Sequence, residues 1–449
     1  YYDQTFVGYT KETSTLGSAW RSAVNATLRT TTSGGVTTTK GDAILSQGSV
    51  IQAFYYAASG GRTQNSQDVW VATLPYLRSV DDPWSVRASV PWSSWTPRER
   101  TQAQVAAAFG LPDVVSIDLS ARTSGGGVRI AVATSSKGVK ASISGETLRS
   151  RLSLPSTWVW RALEKTSADA PTAAAAKAAA SASATVVVAP TSSPATVAVA
   201  ANLAAQKNWP LLLTATTTLS APTRAELARR GAQRATKVYL FGSSSAAPAA
   251  LASAIDGIGG ISVSRVTGPD LGTLSVAAAG LLAPKAGTPA VVVARPDVLS
   301  AAAASGLAAR TGRPLLVLPG GSATSAAVTS YLTDVLVPSS TVVVGAAAAL
   351  DDTAAASLLR PERISATDAV ALSVAVAGAI RGAAVPRAAL APASTAGALV
   401  AMGSAPGAPV LYVGSSLAAT TKALLQAGIP ALTASSAMAP AVVEAARRA

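Results

Sequence analysis

From residue 166 to its end the sequence repeats with a period of about 100 residues, and this periodicity constrains the fold more than any other feature. Each of three stretches opens with a hydroxyl residue three positions before an aspartate: Thr166 and Asp169, Thr267 and Asp270, Ser365 and Asp368. That pattern predicts an alanine-rich helix capped by the hydroxyl, with the carboxylate in its first turn. A short strand follows at 185–189, 290–294 and 387–391, then a second alanine-rich helix and a proline-led apolar strand at 210–214, 314–318 and 409–413. A further helix precedes a third strand at 237–241, 341–344 and 431–433. Apolar runs this short and unbroken between helices belong to strands buried on both faces, hence to parallel sheets. The expectation is three Rossmann-like parallel α/β subdomains at 165–264, 265–362 and 363–449. Units of about 100 residues are at the small end for independent stability, and alanine helices bury little area each. The three are therefore expected to pack together around a pseudo-threefold axis.

Residues 1–164 are of another kind, because of the eight tryptophans only Trp209 lies beyond them. They read as a β-rich α+β module, giving an α/β protein overall. A Thr/Val run at 27–39 contains the turn Ser33-Gly34-Gly35, residues 50–57 are apolar and aromatic, and strands at 115–118 and 128–134 flank the turn at 124–127. A helix is predicted at 98–109, begun by Thr96-Pro97, and a short one at 145–152.

The 449 residues include no cysteine and no histidine, which excludes disulfides, Cys/His zinc sites, thiol nucleophiles and Ser-His-Asp triads. No metal and no cofactor is expected. Gly257-Ile-Gly259-Gly260 lacks dinucleotide-site spacing, and no P-loop occurs. The Ser/Gly loops at Gly242-Ser-Ser-Ser245 and Gly320-Gly-Ser322 suit an anion at a helix N-terminus. A net charge of +14 favours anionic partners. No run of five basic residues appears, so the charge reads as a solvated surface rather than a nucleic-acid patch. No segment reads as a membrane span, since the apolar window at 173–189 is interrupted by Lys177. The start at Tyr1, in strand-like sequence, leads us to expect a fragment or processed form of a longer, secreted bacterial protein.

The first module resembles the later part of the SpoIID/LytB domain of sporulation lytic transglycosylases and amidase enhancers. The resemblance rests on Gln4-Thr-Phe-Val-Gly8 with Glu12, on Ala23-Val-Asn-Ala-Thr27, and on Ala53-Phe-Tyr-Tyr-Ala-Ala-Ser-Gly-Gly-Arg-Thr63. Val69-Trp70, Pro75-Tyr-Leu77 with Asp81-Asp-Pro83, and Ser144-Gly-Glu-Thr-Leu-Arg-Ser-Arg-Leu-Ser-Leu-Pro-Ser-Thr157 follow in the family's order. In Ser59, Gly60, Gly61, Arg62 and Thr63, glycines let backbone amides approach a ligand while hydroxyls and an arginine supply donors for a sugar. The same residues also serve as a tight turn. The resemblance implies peptidoglycan glycan strands as partner, and a catalytic glutamate in the half of the domain that precedes these motifs. No catalytic residue is assigned in this chain. Near the signature, Glu12, Asp68, Asp81, Asp82 and Glu99 are the carboxylates, with Asp81-Asp82 reading as a turn and Glu99 as first-turn helix charge.

Residues 166–449 resemble the cell wall binding repeat 2 family, which occurs in threes and anchors surface proteins of Gram-positive bacteria. Arg265-Val-Thr-Gly-Pro-Asp270 matches that repeat's opening and Arg363-Ile-Ser-Ala-Thr-Asp368 matches it less well. Arg295-Pro-Asp-Val-Leu299, Pro210-Leu-Leu-Leu-Thr214 and Val238-Tyr-Leu-Phe-Gly242 match later pieces, while the second arginine of the opening is absent throughout. The resemblance implies an anionic secondary cell-wall polymer as ligand and a place at the cell surface. Arg265, Arg295 and Arg363, with Arg360 and Arg387, are the basic candidates near unit junctions, and each reads also as ordinary surface charge. The function expected is cell-wall binding tied to peptidoglycan remodelling. Its rivals are an active lytic transglycosylase with its acid upstream and a non-catalytic envelope component. The sequence leaves the oligomeric state open.

Overall fold

A computed structural model describes residues 15–54, 59–70, 72–87, 98–135, 138–159, 161–243, 249–319, 325–345, 358–380, 387–427, 429 and 431–448. The motif pieces at 4–8 and 55–58, Glu12, the pair Thr96-Pro97, and residues 244–248 and 320–324 of the Ser/Gly loops lie outside the described residues. The chain divides into two compact units. The first is Tyr1–Thr101, Ser120–Ala131 and Ile143–Val159; the second is Gln102–Leu119, Val132–Ser142 and Trp160–Ala449.

In the first unit a helix, Thr15–Ala26, leads into the antiparallel pair β1 (Leu28–Ser33) and β2 (Val36–Gly41). Threonines face each other across it, Thr30 to Thr39 at 3.1 Å and Thr32 to Thr37 at 3.0 Å, a pairing that suits β-branched hydroxyl residues. A smaller hairpin joins β3 (Leu45–Ser46) to β4 (Ser49–Val50). The strand expected over 50–57 therefore stops at Val50 among the described residues. A three-stranded sheet that contributes residues to both units runs in the order β5 (Ser116–Arg122), β6 (Val128–Thr134), β7 (Lys140–Ser144), and Ser144 caps the helix Gly145–Arg151 by accepting from the Thr147 amide. The helix predicted at 98–109 begins only at Gln102. Arg100 explains the difference: its Nε and Nη2 donate to the carbonyls of Leu152 and Ser153 at 2.6 and 3.1 Å, which holds the preceding segment out of the helix.

The second unit contains three four-stranded parallel sheets of one topology. The first takes β9 (Thr185–Pro190), β10 (Leu211–Thr214), β11 (Thr236–Phe241) and β12 (Ile261–Val266) in the order β10-β9-β11-β12. In the second, β13 (Ala290–Val293), β14 (Leu315–Val317), β15 (Thr341–Val344) and β16 (Pro361–Ile364) follow the order β14-β13-β15-β16. In the third, β17 (Ala388–Pro392), β18 (Val410–Val413) and β19 (Ala431–Ser435) are completed by β8 (Ala162–Thr166), in the order β18-β17-β19-β8. A strand that precedes the first repeat thus finishes the last, and the cycle of three closes on itself.

Local chemistry repeats with the topology. Asp169, Asp270 and Asp368 are themselves the helix caps, accepting from the amides of Thr172, Thr273 and Ala371 at 2.8–2.9 Å. This corrects the expectation of hydroxyl caps. Thr166 is instead the last residue of β8, and each helix begins directly after its aspartate. The prolines before β10, β14 and β18 lack an amide but offer a carbonyl, and Val187, Val291 and Ala389 donate to Pro210, Pro314 and Pro409 at 2.9–3.0 Å.

Strand side chains alternate between two cores. Val187, Leu211, Val291, Leu315, Ala389 and Val410 face one shared core, which also takes in helix residues of all three repeats. Their neighbours Val186, Leu212, Val292, Leu316, Leu390 and Leu411 face three separate outer cores, one per sheet. Three central helices, Pro194–Lys207, Val298–Thr311 and Thr395–Ser404, pack pairwise on one another in the shared core. Each Asp-capped helix lies on the central helix of the preceding repeat: Leu271–Leu282 on Pro194–Lys207, Ala369–Ala379 on Val298–Thr311, and Ala170–Ala179 on Thr395–Ser404. Small residues make this approach close enough for many dispersion contacts. A Cβ on Gly306 would lie 2.7 Å from the Ala408 carbonyl oxygen.

Candidate functional site

The Ser59–Thr63 signature forms a turn stitched to residues 78–86. Gly60 and Gly61 have φ of +77° and +107°, a region open to glycine and strained for other residues. The Gly61 amide donates to the hydroxyls of Ser59 and Ser85 at 3.2 and 3.1 Å, and Ser59 Oγ donates to Asp82 Oδ2 at 2.8 Å. Arg62 donates through Nη1 to Asp81 and through Nε to Ser79 Oγ, both at 2.9 Å. Thr63 Oγ1 accepts from the Val80 amide at 2.9 Å and donates to the Arg78 carbonyl at 3.1 Å. The structure thus brings all five signature residues together in one half-exposed loop. It also gives Asp81 and Asp82 definite work there, as the ion-pair partner of Arg62 and the acceptor for Ser59. Asp68 accepts from Asn65 Nδ2 at 3.1 Å and from Ser124 Oγ at 3.2 Å. Cleaving a glycosidic bond needs a carboxyl group that is protonated and aimed at the leaving oxygen; these three carboxylates are instead acceptors that hold loops in place. Ser85, the buried centre of this network, was not legible in the sequence, where only the adjacent Asp-Asp-Pro turn stood out.

Arg265 and Arg363 occupy one equivalent position in two sheets. Each is exposed on an outermost strand, opposite Leu240 and Val343 in register. The third sheet has Lys165 there, opposite Ala434, so a cation stands at this position in all three sheets. Glu164 forms an ion pair with Arg387, whose Nη1 also donates to Thr433 Oγ1 at 3.1 Å and whose Nη2 donates to the Val115 carbonyl. Lys177 is half-buried nearby. Burial lowers its pKa from the usual 10.5 and Arg387 adds to that, while Glu164 opposes it. Arg295 follows β13 and is exposed, two residues before Asp297, which caps a central helix by accepting from the Ser300 amide at 2.9 Å. Arg265, Arg295 and Arg363 thus sit at separate places on two sheets. Among the described residues no acidic cluster could hold a metal ion, and no helix is long and apolar enough to cross a membrane.

No family model matches the chain. Over 147 residues it is 28% identical to stage II sporulation protein D of Bacillus amyloliquefaciens, covering 32% of this chain and 41% of that protein. Over that stretch the chain is a distant homologue of SpoIID. It spans less than half of that relative's length. Among solved structures, Cwp8 from Clostridium difficile matches with a TM-score of 0.54 and 19% identity, over 71% of this chain and 58% of that one. Cwp6 from the same organism matches at 0.55 and 16%, over 72% and 57%. These two likenesses concern the fold.

Proposed function

We propose that this chain is a cell-wall-binding protein associated with peptidoglycan remodelling, held at the bacterial surface by its triple repeat. The observation that carries this reading is the closed cycle of three equivalent parallel sheets in a strongly basic chain, with the fold seen in Cwp8 and Cwp6. The ligand of the repeats is an anionic secondary wall polymer, which needs cations on a rigid frame; Arg265, Arg295 and Arg363 are its candidate contacts. The Ser59–Thr63 turn faces peptidoglycan glycan strands, and nucleic acid is not a partner. The working domain boundaries are 1–164, 165–264, 265–362 and 363–449.

A second reading, an active lytic transglycosylase, is favoured by the SpoIID homology, with the acid supplied by sequence upstream of these motifs. Incubating this 449-residue chain with purified peptidoglycan tests the first reading, which expects it to bind without cutting. Cell-wall binding alone yields co-sedimentation without new muropeptides, whereas anhydro-muropeptides in excess of a boiled control contradict the non-catalytic reading of this chain.

A further inference from the structure

We propose that Trp84 is a sugar-stacking residue that, beside the Ser59–Thr63 turn, holds one pyranose ring of an N-acetylated amino-sugar strand. The proposal rests on the glycan-facing reading of that turn. Trp84 is 61% exposed, although an indole in water gives up much of the largest apolar surface any side chain can bury. The segment that carries it is not loose. Trp84 belongs to the single helical turn Pro83–Val86, with proline at its start. Ser85, 9% exposed, anchors that turn. Its hydroxyl lies 2.7 Å from Ser59 Oγ, accepts from the Gly61 amide at 3.1 Å and donates to the Asp82 carbonyl at 3.2 Å. The Asp82 amide donates to the Gly61 carbonyl at 2.9 Å, and a Cβ on Gly61 would lie 3.4 Å from Val86. The signature turn and the Trp84 turn are therefore one rigid piece, with Ser85 packed inward while the indole stays in solvent.

Arg87 supplies the second half of the argument. Its guanidinium carbon lies 3.6 Å from the Trp84 ring centroid, so the cation covers one face and orients the ring. A pyranose has an apolar face of axial C–H groups bounded by hydroxyl and acetamide oxygens. The uncovered indole face fits the C–H groups, while Arg87 holds the ring from behind. Because the platform is fixed before binding, little ordering entropy opposes the contact.

The test is a titration of the full chain with chitotetraose, read by calorimetry and by the Trp84 indole N–H resonance. Wild type should bind and shift that resonance. Trp84→Ala should weaken binding by about tenfold or more, Trp84→Phe should lose less, and neither should alter the melting temperature, since the side chain is exposed. If Trp84→Ala binds like wild type and the indole resonance stays put while Ser59→Ala weakens binding, stacking is overturned and the glycan-facing turn stands. If wild type fails to bind, the glycan-facing reading falls and the stacking proposal with it.

Discussion

Ser436 donates its backbone amide to the carbonyl of Thr166 at 2.7 Å, and the Thr166 hydroxyl reaches back to the carbonyl of Ala434, 268 positions away, at 3.4 Å. These bonds belong to the parallel pairing of β8 with β19, in which Leu163 stands opposite Leu432 and Glu164 opposite Thr433. Arg161, just before β8, adds donations to the carbonyls of Leu425 and Ala446 at 3.0 and 3.1 Å. The third repeat is therefore complete only when residues from before the first are present.

A fragment starting at residue 167 should accordingly be much less stable than one starting at 159. It leaves β19 as an unpaired edge, exposes apolar surface covered by Leu163 and strands Arg387 without Glu164. The loss should be about 3 kcal/mol or more, read as a lower urea midpoint, and a peptide spanning 159–168 should restore part of it. Equal midpoints for the two fragments would remove β8 from the fold's stability.

Arg230 tests the outer side of the first sheet. It is only 1% exposed, pairs with Glu226 at 2.7 Å, and donates to the carbonyls of Ala178, Ser181 and Ser183. Arg230→Ala leaves those carbonyls and part of Glu226 buried without a donor, a loss of about 3–5 kcal/mol. Arg230→Met, which refills the volume, should lose less. Urea denaturation of both variants measures the difference.

Much of this architecture was legible in the sequence, and the gaps have physical causes. The continuous apolar runs such as Leu211–Thr214 announce strands buried on both faces. The fourth strand of each sheet escaped notice because it is an edge: Ile261–Val266 alternates apolar and polar residues, and Pro361–Ile364 is mostly exposed. Arg265 and Arg363 accordingly match repeat openings in sequence, yet they lie within strands that end the preceding sheets. β8 was harder still, since nothing local in Ala162–Thr166 indicates a partner at the far end of the chain. In the signature turn the glycines were legible, whereas the role of Ser85 required the fold.

Gly306 should resist even alanine. Alanine is intrinsically better in a helix by about 1 kcal/mol, but its methyl carbon would sit 2.7 Å from the Ala408 carbonyl oxygen and 2.8 Å from Pro409 Cα, on the neighbouring repeat. Gly306→Ala should therefore destabilise the second unit by about 1–3 kcal/mol, seen as a lower melting temperature.

Lys177 gives a pH dependence. Burial, with Arg387, places its folded-state pKa below the usual 10.5, so the unfolded chain holds the proton more tightly. Stability from this group then rises as pH climbs from the folded value towards 10.5. Lys177→Met should be more stable than the parent at pH 7, with the advantage shrinking in alkaline solution. Urea midpoints of both proteins from pH 7 to 10.5 check this.

The most direct test of the account as a whole is co-sedimentation of a fragment spanning 159–449 with bacterial cell walls, before and after the anionic polymers are extracted. The closed basic triple repeat predicts binding to intact walls and its loss on extracted ones, with Arg265→Ala/Arg363→Ala weakening it while the fold is kept. Undiminished binding to polymer-free walls, or no binding to intact ones, would contradict it.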